Sequence, residues 1–276
     1  MRAFTPGDNP APSGIIDRFI RRFPRTAHLA AGVILYAVAT LAVGMAAAVP
    51  LGVASAVGGR VATIGSWIRW PALGALVATS FFLWGLALLI VVPGFNFALP
   101  TRLRAFSGGY FTAASLPWYL HNGLFYLVRF TVLPFVTATP IGTLFLRAMG
   151  MKMGRRVHIT SEFFSDVNMI TIGDDAVIGG SATVFCHYGG NGRLVIAPVV
   201  IGRGAVIGEK ATIMGDVVVG EGATVLPHAA VLPGTRIGPR ERWGGAPARR
   251  ISREEWEAMK ASRTEVNDDA IPSVAI

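Results

Sequence analysis

Charge is scarce in this sequence. Asp, Glu, Lys and Arg make up 15% of 276 residues, against 52% hydrophobic residues. Soluble domains carry about 25% charge, so the whole chain is too oily to be one soluble domain. Acidic residues are scarcer than basic ones, 16 against 25, which leaves a net charge of +9. A basic surface meets nucleic acid, anionic lipid or an anionic cofactor. Here the arginines flank apolar segments and do not interleave with stacking aromatics on a soluble domain. That disfavours nucleic acid and favours lipid headgroups. Cysteine is nearly absent: Cys186 stands alone, which rules out an intrachain disulfide and fits a reducing compartment.

The missing charge is concentrated. Residues 29–59 and residues 71–101 contain none. About 20 apolar residues cross a bilayer core, so each run holds one transmembrane helix, placed at about 29–52 and 71–93. A cleaved signal peptide does not fit the first run, which starts late and is followed by a second. Arg2, Arg18, Arg21, Arg22 and Arg25 precede the first span, Arg60 and Arg69 lie between the spans, and Arg102 and Arg104 follow. The positive-inside rule places both ends in the cytoplasm, as in a bacterial-type inner membrane. Residues 1–27 then form a basic cytoplasmic segment, with IIDRFIRRF at 15–23 as an amphipathic helix on the headgroups. A membrane region covers 28–150. Within it, 105–146 is broken by Pro117, Pro134 and Pro140 and is rich in aromatics, which predicts interfacial or re-entrant helices, with two further full spans as the alternative.

Residues 199–238 repeat in sixes. Ile201, Ile207, Ile213, Val219, Val225, Val231 and Ile237 are the beats, and Ile172, Ile178 and Val184 start the series earlier. Six is the period of neither a helix nor a flat strand. It marks a parallel β-helix, in which short strands stack coil on coil. Gly202, Gly208, Gly220 and Gly238 follow beats and are read as relaxing tight corners. Ala205, Ala211, Val217, Ala223, Ala229 and Thr235 come four places after a beat and suit a narrow interior. From 184 to 201 the spacing is 17, so the register breaks once, in VFCHYGGNGRLVIAPVV, where a loop must leave the stack.

IGDDAVIGGSATV, the run from IGRGAVIG to GTRIG and the ending RWGGAPARRI resemble the hexapeptide-repeat acyltransferase superfamily. The resemblance covers about residues 155–251. It implies a left-handed parallel β-helix of hexapeptide repeats over 151–251, a homotrimer with donor clefts between prisms, and coenzyme A thioesters as donors. With its apolar spans and TPIGTLFLRAMGMKMG, the chain is also similar to the membrane-anchored C-terminal region of poly-lysine-type peptide synthetases. That similarity implies, as an alternative, amide-bond formation on carrier-bound amino acids. A non-catalytic trimeric membrane scaffold is the reading from a different class.

Acyl transfer to a hydroxyl or amine needs a base, and histidine titrates near neutrality. Of five histidines, His187 lies in the register break, and loops on rigid scaffolds often carry function. It is the candidate general base. His28, His121 and His158 carry little weight, and His228 is a solvent-facing residue that can line the donor cleft. Counting back one coil of 18 residues from His187 reaches Met169, so Asp166, Glu162 and Asn168 are candidates to orient it. Asp166 and Glu162 are the favoured catalytic partners, and turn chemistry is the simpler role for Asn168. Cys186 is read as a core filler, because neighbours on a strand face opposite ways. No metal is expected, since the histidines at 158, 187 and 228 are far apart in sequence. Lys210, Arg249 and Arg250 are candidates for the coenzyme A phosphates, with solvated surface as their plain alternative. Trp243 occupies the eighth beat and should cap the prism. Ser252 and Glu255 form a capping box for a short helix in ISREEWEAMKAS, 251–262, with a flexible tail at 264–276. The expected activity is transfer of an acyl group, acetyl above all, from acyl-coenzyme A to a lipid-linked or envelope acceptor at the bilayer.

Overall fold

The computed structural model describes residues 14–270, and side chains as far as Ala261. Arg2 and the last six residues lie outside the described residues. Helix α1 (Ile15–Arg22) leads into α2 (Pro24–Ala62) and α3 (Ser66–Ala98). Pro24 suits the first turn of α2, where its missing N–H costs nothing. At 39 and 33 residues, α2 and α3 are about 58 and 50 Å long. Both are long and apolar enough to cross a membrane, and within their most apolar windows only 11% and 28% of residues are buried. The segments expected at 29–52 and 71–93 thus sit inside longer helices that run past a core of about 30 Å.

The stretch 105–146 holds short helices and a strand not expected from the sequence. It opens with a strand, β1 (Phe106–Gly109), followed by α4 (Leu116–Arg129), α5 (Leu133–Val136) and α6 (Pro140–Ala148). None of these is long enough to span. Helix α4 packs by close approach on α2, where a Cβ at Gly123 would lie 2.5 Å from Leu35. Its Phe125 is fully buried and stacks on Phe145 at 5.9 Å. The aromatics read as interfacial anchors therefore include packing residues. On its other side, α4 grips the coil domain. Tyr126 Oη lies 2.8 Å from Ser165 Oγ, and Arg129 donates to the Phe164 carbonyl at 3.2 Å.

From residue 152 the chain winds through three parallel sheets. The first stacks β2 (Lys152–Met153), β4 (Ile170–Ile172), β9 (Val199–Ile201), β12 (Val218–Val219) and β15 (Arg236–Ile237). The second stacks β3 (His158–Ile159), β5 (Val177–Ile178), β10 (Val206–Ile207), β13 (Thr224–Val225) and β16 (Arg242–Gly244), with β17 (Arg249–Arg250) antiparallel at its end. The third stacks β6 (Thr183–Val184), β11 (Thr212–Ile213) and β14 (Ala230–Val231). Ile207 pairs with Val225, Ile213 with Val231 and Val219 with Ile237, each 18 residues on. Every beat from Ile172 to Ile237 is buried.

The glycines after the beats work differently from the expectation. Their φ angles are ordinary. What Gly202, Gly208 and Gly220 avoid is collision with the next coil: a Cβ at Gly208 would lie 2.5 Å from Pro227 N, and at Gly202 2.8 Å from Glu221 N. The left-handed corner falls three places after the beat, at Gly204, Lys210, Asp216, Gly222, His228, Gly234 and Arg240. Trp243 pairs with Val225 and packs against the core at the last coil. The capping box forms as expected, with Glu255 N–H donating to Ser252 Oγ at 3.1 Å and Ser252 N–H to Glu255 Oε2 at 2.9 Å. The helix it starts, α7 (Arg253–Ala270), runs through much of the stretch expected to be a tail.

Candidate active site

The register break is a β-hairpin, β7 (His187–Gly190) and β8 (Arg193–Ile196). Asn191 and Gly192 form its turn with φ of 50° and 75°, the left-handed pair that a two-residue hairpin requires. Across the break, Ile178 pairs with Ile207, an offset of 29 where 18 is regular, so eleven residues leave the stack. They do not hang free. Strand β8 pairs antiparallel with β1 from the segment after the apolar helices, Phe106 opposite Ile196. Leu194 and Ile196 are buried beneath this three-stranded sheet.

His187 stands at the root of the hairpin with its side chain 26% exposed. Its Nδ1 lies 2.6 Å from Oδ2 of Asp166, which is completely buried. A buried carboxylate is tolerable only when hydrogen-bonded throughout. Cys186 N–H donates to Oδ2 at 3.0 Å, and Asn122 Nδ2 donates to Oδ1 at 2.8 Å. Asn122 also accepts the Asp166 N–H through its own Oδ1 at 3.0 Å. Asp166 sits in the left-handed region, φ 56° and ψ 40°, which Asp adopts more readily than most residues. An ionised carboxylate only accepts, so the bond assigns a proton to His187 Nδ1 and leaves Nε2 as the ring nitrogen outside this network. Trp118 meets the imidazole edge-on at 5.1 Å, and Phe185 lies at 5.2 Å. With Nδ1 held by Asp166, Nε2 is the ring nitrogen that could exchange a proton with a bound acceptor.

Of the residues expected to orient His187, the structure joins Asp166 to it and leaves the other two apart. The count of 18 was short here, because the first coil is irregular: Phe164 bridges Val184, an offset of 20. That offset carries Cys186 back to Asp166. Asn168 instead donates to the Leu103 carbonyl at 3.0 Å, and Glu162 acts electrostatically on Arg129. Cys186 is fully buried, and burial pushes its thiol well above the usual range, as a core residue requires. Lys210 and His228 are exposed corner residues with φ of 55° and 59°, stacked one coil apart. Lys210 lies 3.7 Å from Glu209. Arg249 and Arg250 pair with Glu255 at 2.9 Å and Glu241 at 3.3 Å. A phosphate would have to displace those carboxylates.

Asn122 and Trp118 escaped sequence reasoning, as did Gly215 and Tyr110. Residues 118, 122, 126 and 129 share one helix face by spacing, a signal visible in principle. Gly215 lies against the dyad strand, where a Cβ would be 2.8 Å from Cys186 O and 3.2 Å from His187 N. Gly189 leaves room for Tyr110, whose Oη would collide with any Cβ there.

No family model and no curated protein sequence matches the chain. Among solved structures it is similar to a hexapeptide-repeat containing acetyltransferase from Vibrio cholerae, at 16% identity and a TM-score of 0.40 over 48% of this chain and 89% of that one. It is similar to a galactoside acetyltransferase in complex with coenzyme A, at 17% identity and a TM-score of 0.40 over 48% and 80%. A maltose O-acetyltransferase from Clostridium difficile matches at 14% identity and a TM-score of 0.37 over 48% and 85%.

Proposed function

We propose that this protein is a membrane-anchored acyltransferase of the hexapeptide-repeat type, with His187 as general base. The observation that carries the reading is the imidazole held by a saturated, buried carboxylate where the coil opens, with its Nε2 available. In the reaction, the acceptor's hydroxyl or amine gives its proton to Nε2 as it attacks the thioester carbonyl. The tetrahedral intermediate then expels the thiolate, which takes that proton back from the imidazolium. Backbone N–H groups at the cleft would stabilise the oxyanion. The donor is a coenzyme A thioester, acetyl-coenzyme A first, with Lys210, His228, Arg249 and Arg250 as candidate contacts. The coil is of the left-handed type and assembles as a homotrimer, with the donor cleft between neighbouring chains.

Two apolar helices support anchoring in the bilayer. Ile15, Ile16, Phe19 and Phe23 are exposed beside Arg18, Arg21 and Arg22, which suits α1 to the headgroup layer on the cytoplasmic side. The acceptor is accordingly a membrane-associated or envelope molecule. His187→Gln tests the assignment. Transfer from acetyl-coenzyme A should fall by about 10²–10⁴-fold, while coenzyme A still raises the thermal midpoint in detergent. An unchanged transfer rate would remove His187 from the chemistry.

A further inference from the structure

A cavity of about 760 Å³ lies between the start of α2 and residues 110–119, a size typical of small-molecule sites. Leu29, Leu35, Phe111 and Leu116 line it, together with Tyr110 and Tyr119. Two hydroxyls of the wall are satisfied locally: Tyr119 Oη and Ser115 Oγ both donate to the Tyr110 carbonyl. Asp17 accepts the Ala113 N–H at 2.8 Å and ties α1 to this wall. Arg25 and His28 are the basic side chains in the lining. Leu29, which lines the cavity, is 70% exposed, so the cavity is continuous with the apolar outer surface of α2. Its other side reaches the dyad through aromatic rings. Trp118 touches Tyr119 at 4.9 Å and Tyr110 at 6.4 Å, and meets His187 at 5.1 Å.

We propose that this cavity holds the hydrocarbon chain of the acyl acceptor, a bilayer lipid whose phosphate-bearing headgroup is met by Arg25. The proposal rests on the acyl-transfer reading and names the substrate class for it. An apolar chain enters from the bilayer beside Leu29 without crossing water. The guanidinium of Arg25 selects an anionic headgroup. The Trp118–His187 contact joins the wall of this cavity to the base.

The test uses the full chain in vesicles of phosphatidylcholine and phosphatidylglycerol, doped with either lipid carrying a diazirine in its acyl chain. After irradiation, labelled peptides are mapped by mass spectrometry. Labelled phosphatidylglycerol should mark peptides 24–35 and 110–119 at least fivefold more than the exposed face of α3 around Phe81 and Ile90, and more than labelled phosphatidylcholine does. Gly32 lines the cavity, and a Cβ there meets nothing within 4 Å. Gly32→Leu should abolish the excess labelling. Gly44→Leu, at an equally open position on the outer face of α2, should leave it intact. Labelling spread evenly over the exposed faces of α2 and α3 in the unmodified protein overturns the proposal, as does excess labelling that survives Gly32→Leu. Coenzyme A is titrated in the same samples by thermal shift. Even labelling with a normal coenzyme A shift removes the lipid site alone. Localised labelling with no coenzyme A shift overturns the acyl-transfer reading and the acceptor role with it.

Discussion

Exchanging the two side chains at the heart of the dyad, Asp166→Asn with Asn122→Asp, should repair what either change breaks alone. The Asp166 carboxylate receives three groups: Asn122 Nδ2 at Oδ1, and Cys186 N–H and His187 Nδ1 at Oδ2. An amide at 166 has one acceptor oxygen. If its NH₂ takes the Oδ1 place, it faces the Asn122 NH₂ across 2.8 Å. If it takes the Oδ2 place, it faces Cys186 N–H across 3.0 Å. Rotating Asn122 relieves the first clash but turns its NH₂ onto the Asp166 N–H, which now donates to it at 3.0 Å. Every arrangement strands a buried donor, at about 1–3 kcal/mol. For a chain of this size that is a fall in thermal midpoint of about 2–4 °C per kcal/mol. Asn122→Asp alone sets two carboxylates in contact, and one must take up a proton at neutral pH. Together, the new carboxylate at 122 accepts both the backbone N–H and the amide NH₂ of 166, and the amide oxygen keeps Cys186 and His187. The Trp118 carbonyl loses its 3.1 Å bond from Asn122, so recovery is partial. The double-mutant cycle should show a coupling of at least about 1 kcal/mol in thermal unfolding. The transfer rate should fall by about 10²–10⁴-fold in Asp166→Asn and recover less than stability, because the charge ends one residue further from the imidazole. Additive losses of thermal midpoint would refute the bonding scheme.

Three further outcomes follow from the same geometry. Gly215→Ala should leave the coil folded yet lower transfer by about tenfold or more, since its Cβ would press on Cys186 O at 2.8 Å and shift the base; circular dichroism and a rate assay separate the two effects. His121 is buried on α4, and burial lowers its pKa to about 4, against the 6.5 of an exposed histidine. The unfolded chain therefore binds the extra proton between these values, so this stability is complete above about pH 6.5 and is lost as pH falls toward 4. Between pH 7 and 5 the contribution is about 2 kcal/mol, and His121→Gln should flatten that part of the melting profile; an unaltered profile would show that His121 titrates freely. A coil domain beginning at residue 151 lacks Asn122, Trp118 and β1, and should show no transfer from acetyl-coenzyme A even where circular dichroism reports strand.

The coil was legible because a period of six leaves its mark on every turn, and each beat from Ile172 to Ile237 points into the core. The position of the break was legible too, as a miscount of 17. Its shape was less so, although Asn191–Gly192 between YGG and RLVI is a hairpin signal that went unread. The partner of His187 emerged from counting only as one of three. The offset of 20 in the first coil, where no beat runs, moved the residue beneath Cys186 from Asn168 to Asp166, whose side chain reaches His187. Asn122 could not be found by counting, since it reaches the site across 44 residues from a segment whose aromatics suggested a membrane interface. Its polar side chain is ordinary in type, and only its contact gives it meaning.

The irregularities of this chain fall in one place for a physical reason. A stacked coil satisfies its backbone by pairing each turn with the next, so a buried carboxylate has no natural place within it. Asp166 lies where the stack is incomplete: beneath it the first coil is still forming, and above it eleven residues have left. There its oxygens meet Cys186 N–H from the coil and Asn122 from α4, while β1 completes the sheet that carries His187. Neither half of the protein can hold the imidazole alone. The coil supplies the carboxylate and the histidine, and the segment following the apolar helices supplies the amide, the indole and the edge strand. On the acyl-transfer reading proposed above, the base would be tied to the segment that packs against the apolar helices. Delivery of the proposed membrane-borne acceptor and the geometry of proton abstraction would then depend on one packing interface.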